Sequence, residues 1–310
     1  MKRKLIKQGG GGCVIYVPKK WLDFNNLKAG NELDIKEEEN SLILNPDEKD
    51  NKIKKIEINL PEKENNYYSF LGALYRACYD EIKLKYNDSK IISVLEKNLN
   101  KFYGFELFDI TEKYCIIKNI FEIQSPDVKQ YFKKMIHMLN TIHSLVIDDI
   151  NNNKFTSKHE IEDMRSNLLK QRNLIQRVIN KNKLLDFSNF PFLRISNYIW
   201  DVSRNYSYLY TKLITKKKIT TKSKQVLEDI NDYFKLTFNN LDKHDFAKTR
   251  RSFEKIYKNI MLLNNEYTPY FLGMLLSIES CNSDIYILNM HLNWFMQLLS
   301  QEKNLPLCLY

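Results

Sequence analysis

The sequence predicts a multidomain α+β protein: an N-terminal β-module, a small α/β segment and a long all-helical region. Three observations predict it. Residues 1–46 hold five of the eight glycines and place apolar residues at alternate positions, the period of a half-buried strand. Residues 66–123 mix helical and strand periodicities. From residue 127 onward apolar residues recur every three or four positions with no strand-like run, which is the period of packed helices.

The first module reads as strand, glycine loop, strand, helical turn, strand, turn, strand. Val14 and Tyr16, then Leu33 and Ile35, alternate with polar neighbours. Pro18-Lys-Lys-Trp-Leu opens a short helix, proline being tolerated in a first turn. Leu27-Lys-Ala-Gly30-Asn is a turn, and Leu42-Ile-Leu44 is the last strand before Pro46. Residues 47–65, rich in Lys, Glu, Asp and Asn, are the expected linker, although they enclose a strand-like run at Ile56–Leu60. The α/β segment is expected to run helix 67–79, strand Glu81–Tyr86, helix 89–101, then strands near 104–110 and 114–121.

Six helices are expected beyond it, with breaks near 151–156, 186–191, 216–223, 240–244 and 264–269, each rich in Asn, Pro, Lys or Asp. Ile161, Met164, Leu168, Ile175, Val178 and Ile179 share a helical face, and so do Phe246, Phe253, Tyr257 and Ile260. The last helix carries Phe271, Leu275, Ile278, Cys281, Ile285, Leu288, Leu292 and Phe295 at three- or four-residue spacing. Six helices divide into two consecutive three-helix units, residues 124–216 and 217–310.

Composition bounds the function. Of 310 residues 43% are hydrophobic, with 19 Tyr and 17 Phe, enough apolar surface to offset the entropy of ordering the chain. The formal net charge of +10 favours a polyanionic partner, nucleic acid or an anionic surface. Cys13, Cys78, Cys115, Cys281 and Cys308 lie far apart, so neither a zinc knuckle nor a disulfide framework is indicated and free thiols in a reducing cytoplasm are expected. The basic start has no apolar stretch behind it, unlike a signal peptide. The apolar C-terminal stretch carries Glu279, Asp284 and His291, so no membrane insertion is expected.

Charge is segregated within the first module. Residues 1–20 contain Lys2, Arg3, Lys4, Lys7, Lys19 and Lys20 without an acidic residue, whereas Asp23, Glu32, Asp34 and Glu37–Glu39 follow later. A phosphate-facing surface arises in this way, and Gly9–Gly12 give a turn whose bare backbone can approach a sugar-phosphate chain. A charged edge strand that resists aggregation would explain two or three of the lysines, but not the glycine run or the Pro-Lys-Lys step. The run Lys4-Leu-Ile-Lys-Gln-Gly-Gly-Gly-Gly-Cys-Val-Ile-Tyr-Val-Pro-Lys-Lys-Trp21, followed by Leu27-Lys-Ala-Gly-Asn-Glu-Leu-Asp-Ile35, resembles the AbrB/SpoVT family. Asn31 stands where that family usually has Asp. The resemblance implies a swapped-hairpin β-barrel built by two chains, a homodimer on double-stranded DNA, with Arg3, Lys4, Lys7, Lys19 and Lys20 as the contacts. A half-barrel of this size cannot close its own core.

The remainder resembles archaeal proteins that join such a head to tandem PhoU-type units, on Tyr75-Arg-Ala-Cys-Tyr-Asp-Glu-Ile82, Gly104-Phe-Glu-Leu107, Cys115-Ile-Ile-Lys118 and Glu160-Ile-Glu-Asp-Met-Arg-Ser-Asn-Leu-Leu-Lys-Gln-Arg172. This implies a role in controlling phosphate uptake. The family's units carry Glu/Asp pairs one helical turn apart that can chelate a cation. Here Glu160 is followed four residues on by Met164, Asp201 is accompanied by Asn197, the second unit offers Arg251-Ser-Phe-Glu-Lys, and the last helix offers Ser280 and Cys281. The expectation is therefore no metal and no cofactor, with Glu160, Glu162 and Asp163 as ordinary surface charges.

His137 and His143 are six apart, and His159, His244 and His291 stand singly; HExxH, GxSxG, GxGxxG and a phosphate loop are all missing from the sequence. The expectation is not an enzyme. Lys212, Lys216–Lys218, Lys222 and Lys224 form a second basic cluster, either a solvated turn or a further polyanion contact. The leading expectation is a DNA-binding regulator of a phosphate response. The alternatives are a signalling adaptor that binds a phosphate transporter or kinase, its head used only to dimerise, and a metal-sensing helical protein.

Overall fold

The computed structural model describes residues 2–9, 12–38, 41–46, 53–60, 67–121, 128–181, 190–216, 218–238 and 245–302. The chain divides into two units, Met1–Ile53 and Lys54–Tyr310. It is a mixed α+β protein dominated by helix.

In the first unit β1 (Ile6–Gln8) and β2 (Gly12–Val14) form one antiparallel hairpin. Gly9 supplies its turn with φ +65°, a conformation that costs glycine little. Helix α1 (Lys19–Phe24) follows Pro18, whose carbonyl accepts from the amides of Trp21 and Leu22. Then β3 (Leu33–Glu38) and β4 (Ser41–Pro46) make a second, separate antiparallel hairpin in which Ile35 faces Leu44. Alternation puts Leu33, Ile35, Leu42 and Leu44 on one face of that hairpin. The sequence leads one to expect half-buried strands, yet Ile35 is 63% and Leu42 67% exposed, and Leu5, Ile15, Tyr16 and Phe24 are exposed as well. Among its described residues this unit buries no side chain completely. Among the described residues of this unit neither hairpin extends into a larger sheet, and a barrel swapped between chains would require a second copy.

The second unit starts inside the expected linker. β5 (Lys55–Asn59) pairs in parallel with β6 (Glu81–Lys85), so the α/β unit begins about ten residues earlier than residue 66. The charged composition that suggests a linker is the solvent side of this edge strand: Lys55 bridges Glu81 at 3.1 Å and Glu57 bridges Lys83 at 3.2 Å. Between them runs α2 (Tyr67–Arg76); α3 (Ile91–Leu99), β7 (Phe105–Phe108) and β8 (Tyr114–Asn119) complete a four-stranded sheet of order β5-β6-β8-β7. Ile82, Leu84, Phe105, Cys115 and Ile117 turn one sheet face onto Leu71, Tyr75, Leu95 and Leu99 of the two helices. Helix α2 ends with Cys78 left-handed at φ +62°, while Tyr79 donates to the Leu74 carbonyl and Cys78 to that of Tyr75. That pattern satisfies carbonyls a helix end would otherwise leave bare.

Six helices follow: α4 (Val128–Asn152), α5 (Lys158–Lys181), α6 (Phe190–Lys216), α7 (Thr221–Phe238), α8 (Phe246–Leu263) and α9 (Thr268–Glu302). The first three pack on one another, as do the last three, and α6 lies along α9. One continuous apolar core therefore spans both triplets, including Ile199 and Leu209 of α6 and Met274 and Ile278 of α9. Gly273 permits the close approach, since a Cβ there would sit 2.6 Å from Asn205 Oδ1. Asp245 caps α8 by accepting from the Lys248 amide at 3.0 Å, and left-handed Asn264 ends it. Ile161, Leu168, Ile175, Val178 and Ile179 are buried with Met164 beside them; of the second expected face, Ile260 is buried and Phe253 half-buried, while Phe246 and Tyr257 remain exposed. Phe271, Leu275, Ile278, Cys281 and Ile285 are buried, and the side chains of Leu288, Leu292 and Phe295 lie outside the described residues. Among the described residues no helix is long and apolar enough to cross a membrane.

Candidate nucleic-acid interface and the polar junction of the helical body

Arg3 and Lys4 precede β1, Lys7 lies within it opposite Cys13, and Lys19 and Lys20 open α1 directly after Pro18. All five are exposed. A strand and a helical turn thus present them on short, separately positioned elements. None of the five is in an ion pair among the described residues. The glycine turn beside them includes Gly9, next to which an added Cβ would meet nothing within 4 Å. Gly10 and Gly11 lie outside the described residues.

The helical body treats its charges differently. Glu160 is exposed on α5, and Asp201 of α6 bridges Arg204 at 3.0 Å. The structure does not bring the two together into a ligand set, and among the described residues no three His, Cys, Asp or Glu groups converge on a point that could hold a metal ion. Glu162 instead turns inward, accepting from the Ser207 hydroxyl and from Arg165, 2.7 Å away. Burial would raise its carboxyl, but these partners outweigh burial and hold it below the usual range. Asp149 near the end of α4 accepts from Tyr210 and from the Thr156 and Ser157 amides at 3.0 Å. Burial opposes its charge, and the hydrogen bonds prevail, lowering its pKa. It is a clasp for the α4–α5 turn.

His143 is buried and shares a 2.9 Å hydrogen bond through Nδ1 with Tyr206. Burial pushes its imidazole down to about 4, with the Lys235 ammonium acting in the same direction. His159 meets Asp163 at 2.9 Å on the surface, and His137 is exposed. The side chains of His244 and His291 lie outside the described residues. In the second basic cluster Lys216 pairs with Glu266 at 3.6 Å and Lys224 with Glu228 at 3.9 Å, while Lys212, Lys218 and Lys222 project from the surface; Lys217 lies outside the described residues.

Two arrangements escape sequence reasoning. Arg177 of α5 is buried against the α/β unit, bonded to Asp80 at 2.7 Å and to the carbonyls of Tyr75 and Tyr79. An arginine inside the apolar run Leu174-Ile-Gln-Arg-Val-Ile179 is the signal that could have marked it, because a charge on a core face needs a partner. The other gathers Arg76, Lys101 and Arg172 where α2 meets α5, with Trp200 of α6 against Arg172. Arg172 stacks 4.6 Å from the Trp200 ring, and Arg204 lies 5.2 Å from the same ring. No protein-family model, curated protein or solved structure matches the chain.

Proposed function

We propose that this chain is a dimeric, DNA-binding transcriptional regulator of phosphate uptake. Two N-terminal modules interlace in an AbrB-type swapped barrel, and Arg3, Lys4, Lys7, Lys19 and Lys20 of each copy face the phosphates of duplex DNA. The helical body, as two PhoU-like three-helix units, serves as the sensory or partner-binding region. One observation carries this reading: the described residues of the first unit form two hairpins whose apolar side chains stay exposed, beside basic residues that have no ion-pair partner among the described residues. Burying one Leu or Ile side chain is worth about 1.5–3 kcal/mol. A second copy covering Ile35, Leu42 and their neighbours would gain several such contributions and leave the basic residues on the rim. Neutralising duplex phosphates releases counterions, which makes binding fall steeply with salt. A mobility-shift titration of the full chain on mixed duplex DNA at several salt concentrations tests this. Binding that weakens about tenfold or more between ~50 and ~200 mM salt is expected, together with its loss on combined Lys7→Glu and Lys19→Glu exchange. A flat salt response, or a charge-reversed protein that still binds, sinks the proposal and favours the adaptor reading.

A further inference from the structure

Most arginines of the helical body meet a carboxylate; exposed Arg251 bonds only to the Ala247 carbonyl among the described residues. Arg165, Arg177, Arg194, Arg204 and Arg250 each meet a carboxylate within 3.3 Å. Arg76 and Arg172 are half-buried, yet among the described residues neither is bonded to a carboxylate. Their guanidinium groups instead converge on one neutral atom: Arg76 Nη1 and Arg172 Nη2 both donate to Asn173 Oδ1, each at 3.4 Å. Asn173 is fully buried, so this oxygen is a fixed part of the floor. Arg76 reaches it by lying over bare backbone, since a Cβ on Gly72 would stand 2.8 Å from its Nη1. The plane of Arg172 is fixed by Trp200, and its Nε is sealed from solvent without an acceptor.

A third cation adjoins the Tyr68 ring. Lys101 Nζ lies 4.9 Å from the centre of the Tyr68 ring. The Tyr68 hydroxyl accepts from Arg172 and Asn173 at 3.2 and 3.3 Å, so its own O–H remains available to an acceptor. Burial lowers the affinity of Arg172 and Lys101 for their protons, and neighbouring cations, Arg76 and Arg165 respectively, add to the effect. Asp201 is the acid that eases Arg172, but it is bonded to Arg204. Arg76 and Arg172, converging on one neutral oxygen with no carboxylate bonded to either among the described residues, describe a site that lacks an anion rather than a finished ion pair.

We propose that this junction binds a phosphate group, held by the forks of Arg76 and Arg172 with Lys101 and the Tyr68 hydroxyl beside them. Planar forks match the spacing of phosphate oxygens, and three cations suit a dianion better than a single carboxylate. The site lies where α2 of the α/β unit packs on α5 of the helical body, so an occupant would tie the two together. It stands independently of the DNA reading, because no residue of the first unit takes part, and a failed mobility shift leaves it untouched.

Isothermal titration of the full chain with inorganic phosphate, and in a parallel arm with glucose 6-phosphate, tests the site against sodium chloride at matched ionic strength. Saturable binding in either arm is expected; the tighter arm separates free phosphate from a phosphate monoester. Arg76→Gln should weaken it about tenfold or more, the loss expected for one charge-assisted fork. Arg172→Lys, which keeps the charge and loses the fork, should weaken it comparably while far-UV circular dichroism stays unchanged. Tryptophan emission should change on binding, and that change should vanish in Trp200→Phe. No saturable heat in the folded wild type, or equal binding by Arg76→Gln, overturns the proposal.

Discussion

Arg177 Nη2 donates to Asp80 Oδ1 across 2.7 Å, joining the C-terminal end of α5 to the residue that precedes β6. The Arg177 side chain is 1% exposed, and its guanidinium also lies 4.8 Å from the Tyr75 ring centre. Lys181 adds a second cation to the same Asp80 oxygen at 3.1 Å. A charge this deep is tolerated because the carboxylate and two carbonyls replace the water it lost. This polar lock, with an apolar ring behind it, holds the sheet unit to the bundle.

Removing one partner should therefore cost more than an ordinary surface pair. Asp80→Asn leaves Arg177 buried without its counter-charge, and a loss of about 3–5 kcal/mol in urea unfolding is expected. Lys181→Ala, which removes the exposed member, should cost less than about 1 kcal/mol. Equal losses from the two variants would contradict the assignment of the lock to Arg177.

Gly104 combines φ +78° with no room for a side chain: a Cβ would lie 2.7 Å from Asn119 Oδ1 and 2.8 Å from the Phe121 amide nitrogen. Gly104→Ala should lower stability by about 2 kcal/mol or more, the strain of a left-handed residue plus displacement of the chain after β8. Thermal unfolding checks it, with Gly72→Ala as the milder comparison because only the end of a flexible Arg76 must move there.

His143 gives the fold an acid sensitivity with a defined window. Its folded pKa is pushed by burial from 6.5 to about 4, so the unfolded chain takes up the proton first. The stabilisation is complete above about pH 6.5 and is lost as pH falls towards 4. Over that span wild type should lose roughly 3 kcal/mol more than His143→Gln, which can still meet the Tyr206 hydroxyl. Urea titrations at pH 7, 5.5 and 4 measure the difference, and parallel slopes for the two proteins would refute it.

The hairpin face of Leu33, Ile35, Leu42 and Leu44 is the expected seam between copies. Ile35→Asp places a carboxylate on that seam without touching the basic residues, and sedimentation should then report monomer where wild type is a dimer. DNA affinity should fall in parallel, because a single module offers half the cations. A variant that remains dimeric would show that the seam lies elsewhere.

The order of elements was legible in the sequence because it depends on local periodicity and on turn residues. Apolar residues three or four apart mark α4 to α9, and Asn-, Pro-, Lys- and Asp-rich breaks separate them within a few residues. Glycine and the Pro18 step delimit the hairpins and α1 in the same local way. The strand-like run at Ile56–Leu60 was legible, but its place in the sheet was not, because an edge strand with one solvated face, Lys55 and Glu57 flanking Ile56, has the composition of a linker. Only the tertiary structure decided which charges meet. Asp80 and Arg177, or Arg76 and Arg172, stand about a hundred positions apart in the chain, and no short window of sequence can register a pairing that exists only once α5 packs on α2. The same holds for the apolar faces of the first unit: alternation marks them for burial, while whether they are covered depends on what lies opposite in space.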